Sequence, residues 1–153
     1  SRVYISEYFD PTRDAKGKPC RPLIAIPFGA GEGTVTGAEA EWAYDEVIAP
    51  LNRAVARAAK AYGWNLVAGA AGRFRTHGYC ARDTWVVQVT EALWRQGGVP
   101  ELAKTKLPAA FWWIDAPAAH AGALHPNREG HKQIALLVTD ALKRDAIDGQ
   151  LER

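Results

Sequence analysis

The residues best suited to chemistry lie in Gly122-Ala123-Leu124-His125-Pro126-Asn127-Arg128-Glu129-Gly130-His131. A His followed by Pro-Asn reads as a loop running straight into a helix. Asn127 can cap that helix, and a proline is well tolerated at its start. Such a loop can project a side chain over the C-terminal edge of a sheet. An imidazole held there can act as a general base. The competing reading is a helix start with an incidental His, and the residues alone favour it.

Other reactive side chains are few. His77 sits beside Tyr79 in a glycine-rich loop, 68–82. It can line a substrate cleft or hydrogen-bond within its loop, and the second is favoured. His120, His125 and His131 fit no standard zinc spacing, and no Cys or carboxylate pattern joins them, so no metal is expected. No cofactor is implied. The only serines are Ser1 and Ser6. Ser6 falls in mid-strand, whereas a nucleophile needs a sharp strand-to-helix turn. Trp85, Trp112 and Trp113 can line an acyl or sugar pocket, although large aromatics are more often core. Cys20 and Cys80 both follow strands, so a parallel sheet would bring them to one edge. A disulfide and two free thiols are both open at this point.

The elements that must position these groups alternate along the chain. The segment 2–9 is β-branched and aromatic, and Asp10-Pro11 stops it, so it reads as a strand. Its lack of alternation predicts cover on both faces. Leu23–Pro27 is a second short apolar stretch, and a glycine-rich connection comes after it. Thr36 and Glu39 have capping-box spacing. Apolar residues then recur at helical period from Tyr44 to Tyr62, with Gly63 at the C-terminal glycine position. A helix over about 38–62 is expected, kinked or split at Pro50. Trp42 lies off its apolar stripe. A strand at 64–67 comes next, and a helix feeding a strand predicts a parallel sheet. Asp83 is read as the cap of a helix with Trp85, Val89 and Leu93 on one face. Phe111–Ile114 is a further strand, and Asn127 opens a last helix that turns Ile134, Leu137, Val138, Ala141 and Leu142 inward.

Composition narrows the function classes. The chain has 153 residues, 48% hydrophobic and 24% charged, as expected of one globular domain. Nineteen Lys+Arg against seventeen Asp+Glu leave a net charge of +2, too balanced for a dedicated nucleic-acid binder. No apolar run approaches the roughly 20 residues that span a bilayer. The chain starts at Ser1 and contains no Met, so it is expected to be a piece of a longer protein.

His-Pro-Asn-x-x-Gly-His, followed by Ile and Ala on a final helix, resembles the last block of the SGNH (GDSL-type) esterases and lipases. Residues 3–12 resemble the middle strand and following loop of secreted members. Leu51-Asn52, Gly63-Trp64 and Phe74-Arg75-Thr76-His77-Gly78-Tyr79-Cys80 are similar in the same order, along nearly the whole chain. The resemblance implies a single domain, 1–153, that is the C-terminal portion of a three-layer α/β/α fold with a parallel, flavodoxin-like sheet. It implies ester hydrolysis with His125 as general base. The family's Gly-Asp-Ser block and oxyanion donors have no counterpart here. Nor does the Asp three residues before the His: Gly122 stands there, and its backbone carbonyl is the expected orienter. Asp115 is the nearest upstream carboxylate. His77, Tyr79 and Trp113 are candidate substrate-binding residues.

The resemblance to secreted members favours a Cys20–Cys80 disulfide and a secreted or periplasmic location. The strand at 2–9 would pair its other edge with the N-terminal half of the domain, or with a second copy of this chain. Alone, the chain is expected to be inactive. The alternative is a non-catalytic glycan- or protein-binding domain on the same scaffold.

Overall fold

A computed structural model of the chain describes residues 2–21, 36–88, 91–92 and 122–151. The apolar stretch Leu23–Pro27 and the expected strand Phe111–Ile114 lie outside the described residues.

Two short strands form the centre. β1 (Tyr4–Ser6) and β2 (Asn65–Val67) pair in parallel, with Tyr4 opposite Asn65, Ile5 opposite Leu66 and Ser6 opposite Val67. Bonds from Asn65 N–H to the Val3 carbonyl (2.8 Å) and from Glu7 N–H to the Val67 carbonyl (3.2 Å) extend the ladder at both ends. β1 is shorter than its composition predicts. At Tyr8 the backbone leaves β2 and is held by a side chain instead. Asn52 Oδ1 accepts from the Tyr8 N–H (2.8 Å), and Asn52 Nδ2 donates to the Tyr8 carbonyl (2.9 Å). One amide side chain thus supplies both bonds that a neighbouring strand would supply.

The segment between the strands is helical over nearly the predicted range. The capping box closes as its spacing requires: Glu39 N–H donates to Thr36 Oγ1 (3.2 Å), and Thr36 N–H donates to Glu39 Oε2 (2.7 Å). Those bonds from Thr36 hold the Glu39 carboxyl below its ordinary pKa. α1 (Gly37–Trp42) passes into a π-helical stretch (Ala43–Ile48) and then α2 (Ala49–Tyr62). Pro50 does not break the helix. A proline ring clashes with the carbonyl four residues earlier. The wider turn just before it relieves that clash, as the Ala49 N–H bonds back to Tyr44 rather than to Asp45. Gly63 ends α2 in the left-handed conformation (φ 64°). Trp42 is 60% exposed, as its place off the stripe predicts. Val47 and Leu51, on the stripe, are also exposed.

The core is built around Phe74 at the end of α3 (Ala70–Phe74), with Val67 and Val86 also fully enclosed. The Phe74 ring meets Phe9 at 4.6 Å and the edge of Trp85 at 5.4 Å. α4 (Arg128–Leu151) packs on α3 and β2. Ala141 is buried as expected, whereas Leu142 is exposed. Among the described residues no helix is long and apolar enough to cross a membrane.

The expected helix does not start at Asp83, although Glu91 and Ala92 further along are helical. Residues 84–88 are extended, and Val86 bridges Pro126 in antiparallel sense. Thr84, Val86 and Val87 are β-branched, and three backbone bonds to residues 124–127 hold them extended. Tertiary pairing therefore keeps residues 84–88 out of the helix, and the first helical bond after them among the described residues runs from Ala92 N–H to the Gln88 carbonyl (2.9 Å). Val89 and Leu93 lie outside the described residues.

α4 is tied to β1 at the opposite end of the chain. Tyr4 Oη donates to the Asp145 carboxylate, and Arg2 Nη1 lies 2.7 Å from the other carboxylate oxygen. The Tyr4 bond, with Arg2 beside it, holds the Asp145 carboxyl below its ordinary pKa. A lowered folded-state value means that the contribution is present above the unfolded value, near 3.9, and is lost as pH falls through the folded one. Tyr4→Phe is therefore expected to flatten the acid limb of stability, measured as the urea midpoint at pH 3 against pH 6.

Candidate functional site

The loop 122–127 is shaped by its backbone before its side chains matter. Gly122 (φ 89°) and Leu124 (φ 66°) are both left-handed, and Leu124 is the single non-glycine residue with positive φ among those described. The His125 N–H closes a four-residue turn onto the Gly122 carbonyl (3.2 Å). Val87 then faces two residues of this loop at once: its carbonyl accepts from Leu124 N–H (2.9 Å) and its N–H donates to the His125 carbonyl (2.8 Å). That is a bulge with a left-handed first position, normally a glycine. A leucine there carries strain of roughly 1–3 kcal/mol. The strained residue immediately precedes the candidate base.

His125 is exposed. Its Nδ1 lies 3.2 Å from the Ala123 carbonyl. A carbonyl only accepts, so Nδ1 carries a proton, and in the neutral ring Nε2 carries the lone pair. This is the tautomer a general base needs. The orienting carbonyl is that of Ala123, not of Gly122 as expected from the sequence. The Gly122 oxygen is taken by the His125 backbone, and the turn aims the next carbonyl at the ring. Asp115 lies outside the described residues.

Asn127 locks the loop both to α4 and to the extended segment 84–88. Its Oδ1 accepts from Glu129 N–H (3.0 Å) and Gly130 N–H (3.1 Å), the capping role its position predicts. Its Nδ2 donates to the Thr84 carbonyl (2.8 Å), and its own N–H to the Trp85 carbonyl (2.8 Å). Gly130 is where the helix start meets that extended segment. A Cβ there would collide with the Trp85 carbonyl, sit 2.9 Å from Phe74 Cζ and sit 3.0 Å from Pro126 Cβ. Gly130→Ala is expected to destabilise by roughly 1–3 kcal/mol, as overpacking does. The urea midpoint measures it, and an unchanged midpoint would contradict the tight seat.

His77 is held within its own loop. Its Nδ1 donates to the Asp83 carbonyl (2.8 Å), with the Asp83 carboxylate at 3.5 Å. The ring stacks on Trp85 at 3.8 Å, nearly parallel. Trp85 thus belongs to no helix face, contrary to its spacing; it is a platform for His77 and a partner of Phe74. Tyr79 is half-buried against Cys20 and Ala40. Cys20 and Cys80 form the expected disulfide, with Cα atoms 5.8 Å apart. Trp113 and His120 lie outside the described residues. His131 is exposed on the first turn of α4. Among the described residues no three His, Cys, Asp or Glu side chains are grouped to hold a metal ion.

An open pocket of about 540 Å³ adjoins the loop, walled by Asp83, Thr84, Glu91, Asn127, Arg128, Glu129 and Lys132. The Gln133 amide, ahead of Lys132, holds the Glu129 carboxyl below its ordinary pKa. The structure thus brings the His77 and His125 loops to one ladder, through Trp85, Val87 and Asn127. Comparison of the chain with protein-family models, curated proteins and solved structures finds no match.

Proposed function

We propose that this chain is the His-bearing part of an SGNH-type ester hydrolase, with the Ser nucleophile and oxyanion donors outside this sequence. The observation that carries the reading is His125. Its Nδ1 proton is committed to a backbone carbonyl, its ring is exposed, and a strained turn holds it at the mouth of a helix. In that role Nε2 takes the proton of the Ser hydroxyl as its oxygen attacks the ester carbonyl. The imidazolium returns that proton to the departing alcohol, leaving an acyl-enzyme. Water then attacks the acyl carbon, again losing its proton to Nε2, and the acid and free Ser are released. The Ala123 carbonyl keeps the tautomer and accepts from Nδ1 throughout.

In this reading β1 and β2 are neighbouring strands of a three-layer α/β/α sheet. The N-terminal half, or a second copy, adds its strand to the other edge of β1. The disulfide fits a secreted or periplasmic setting. The test is p-nitrophenyl ester hydrolysis by the complete gene product, with and without a serine-directed fluorophosphonate. Turnover abolished by the reagent is expected. A folded complete protein that hydrolyses no ester, from acetate to a long acyl chain, would overturn the proposal and leave a binding domain.

A further inference from the structure

A second pocket lies between the loop after β1, the π-helical stretch and α3, and shares no lining residue with the one beside the His125 loop. It holds about 170 Å³ between Asp10, Arg13, Tyr44, Ala71, Gly72 and Arg75. Asp10 is 3% exposed and both of its carboxylate oxygens accept hydrogen bonds. Oδ1 accepts from the Thr12 N–H (2.9 Å) and hydroxyl (2.6 Å), and Oδ2 accepts from Arg13 Nε (2.9 Å). The Nε bond fixes the Arg13 guanidinium, which lies over the Tyr44 ring at 4.3 Å and is 12% exposed. The two terminal nitrogens of Arg13 meet no acceptor among the described residues.

Arg75 enters from the end of α3. Its stem is seated on the turn at Gly17, where a Cβ would lie 3.5 Å from Arg75 Cγ and Nε. Its guanidinium also meets no acceptor among the described residues. Two arginines therefore share the pocket lining with one carboxylate whose oxygens already accept three hydrogen bonds. The pocket carries net positive charge and unspent N–H donors in the planar geometry that oxyanions match.

We propose that this pocket binds a small oxyanion group, a carboxylate or a phosphate. Arg13 is the fixed donor, preorganised by Asp10 and Tyr44, and Arg75 closes over the ligand. The volume suits an anion of a few heavy atoms, not a polymer. The experiment is calorimetric titration of the protein with inorganic phosphate and with acetate, at constant ionic strength set by chloride. Saturable one-site binding of at least one anion is expected, weakened at least tenfold by Arg75→Gln. Arg13→Lys keeps the charge beside Asp10 but loses the fork, and is expected to weaken binding as well. Binding of phosphate alone assigns a phosphoryl ligand, and binding of acetate assigns a carboxylate. No saturable binding of either, or unchanged affinity in Arg75→Gln, overturns the proposal. Arg75 is exposed, so its variant is expected to fold even where changes at Arg13 disturb Asp10.

Discussion

His125→Ala in the complete gene product is expected to lower ester turnover by roughly 10³- to 10⁶-fold, the range seen when the base of a Ser–His pair is removed. The loss should fall on kcat, because in the proposed reaction the imidazole acts on a proton that moves in the transition state. Fold and stability should change little, since the ring is exposed and its one hydrogen bond among the described residues is to a carbonyl two residues away. Steady-state kinetics beside a thermal melt separate the two effects. A residual rate within tenfold of the parent would remove His125 from the mechanism. The same geometry predicts that Asp115→Asn leaves turnover within a few-fold of the parent, because the Ala123 carbonyl already fixes the tautomer. A drop as deep as that of His125→Ala would mean that a carboxylate does the orienting.

Removing the Cys20–Cys80 bridge is expected to have the largest effect on stability. The bridge joins residues 60 apart, and constraining a loop of that length in the unfolded chain stabilises by roughly 4 kcal/mol. For a domain of this size that corresponds to a fall in Tm of roughly 8–16 °C. Cys20 is fully buried and packs with Ala40, Tyr79 and Cys80. The bridge therefore also pins the loop after β1 to the start of α1 and to the loop that carries His77. The double variant Cys20→Ala/Cys80→Ala, melted beside the parent with and without reductant, measures the effect. A melt that reductant leaves unmoved would show that the bridge contributes nothing.

Both predictions rest on features that differ in how far residue order reveals them. The capping box at Thr36 and Glu39, the left-handed Gly63 and the Asn127 cap are all legible in the sequence. Each involves partners two to four residues apart, so the chemistry and its geometry sit in one short window. The parallel pairing of β1 and β2 is legible for a related reason, since a helix between two strands leaves the second strand running the same way. The disulfide is half legible: the strand order makes it possible, and the resemblance to secreted proteins favours it.

Other features depend on contacts that no window contains. Trp85, Val89 and Leu93 carry helical spacing, yet residues 84–88 are extended because residues 124–127 lie alongside and exchange hydrogen bonds with them. Asn52 ends β1 by bonding a backbone 44 positions away. Trp85 becomes the platform under His77, and Arg13 and Arg75 converge on one pocket, although neither spacing marks them. At the site itself the order of residues names the imidazole and its cap, but it assigns the orienting carbonyl to Gly122. Which carbonyl faces the ring is set by a left-handed Leu124, a conformation leucine does not choose for itself. The bulge against Val87 imposes it. Local propensity and short-range hydrogen bonds are written into the order of residues. The strained turn exists because long-range pairing outweighs them.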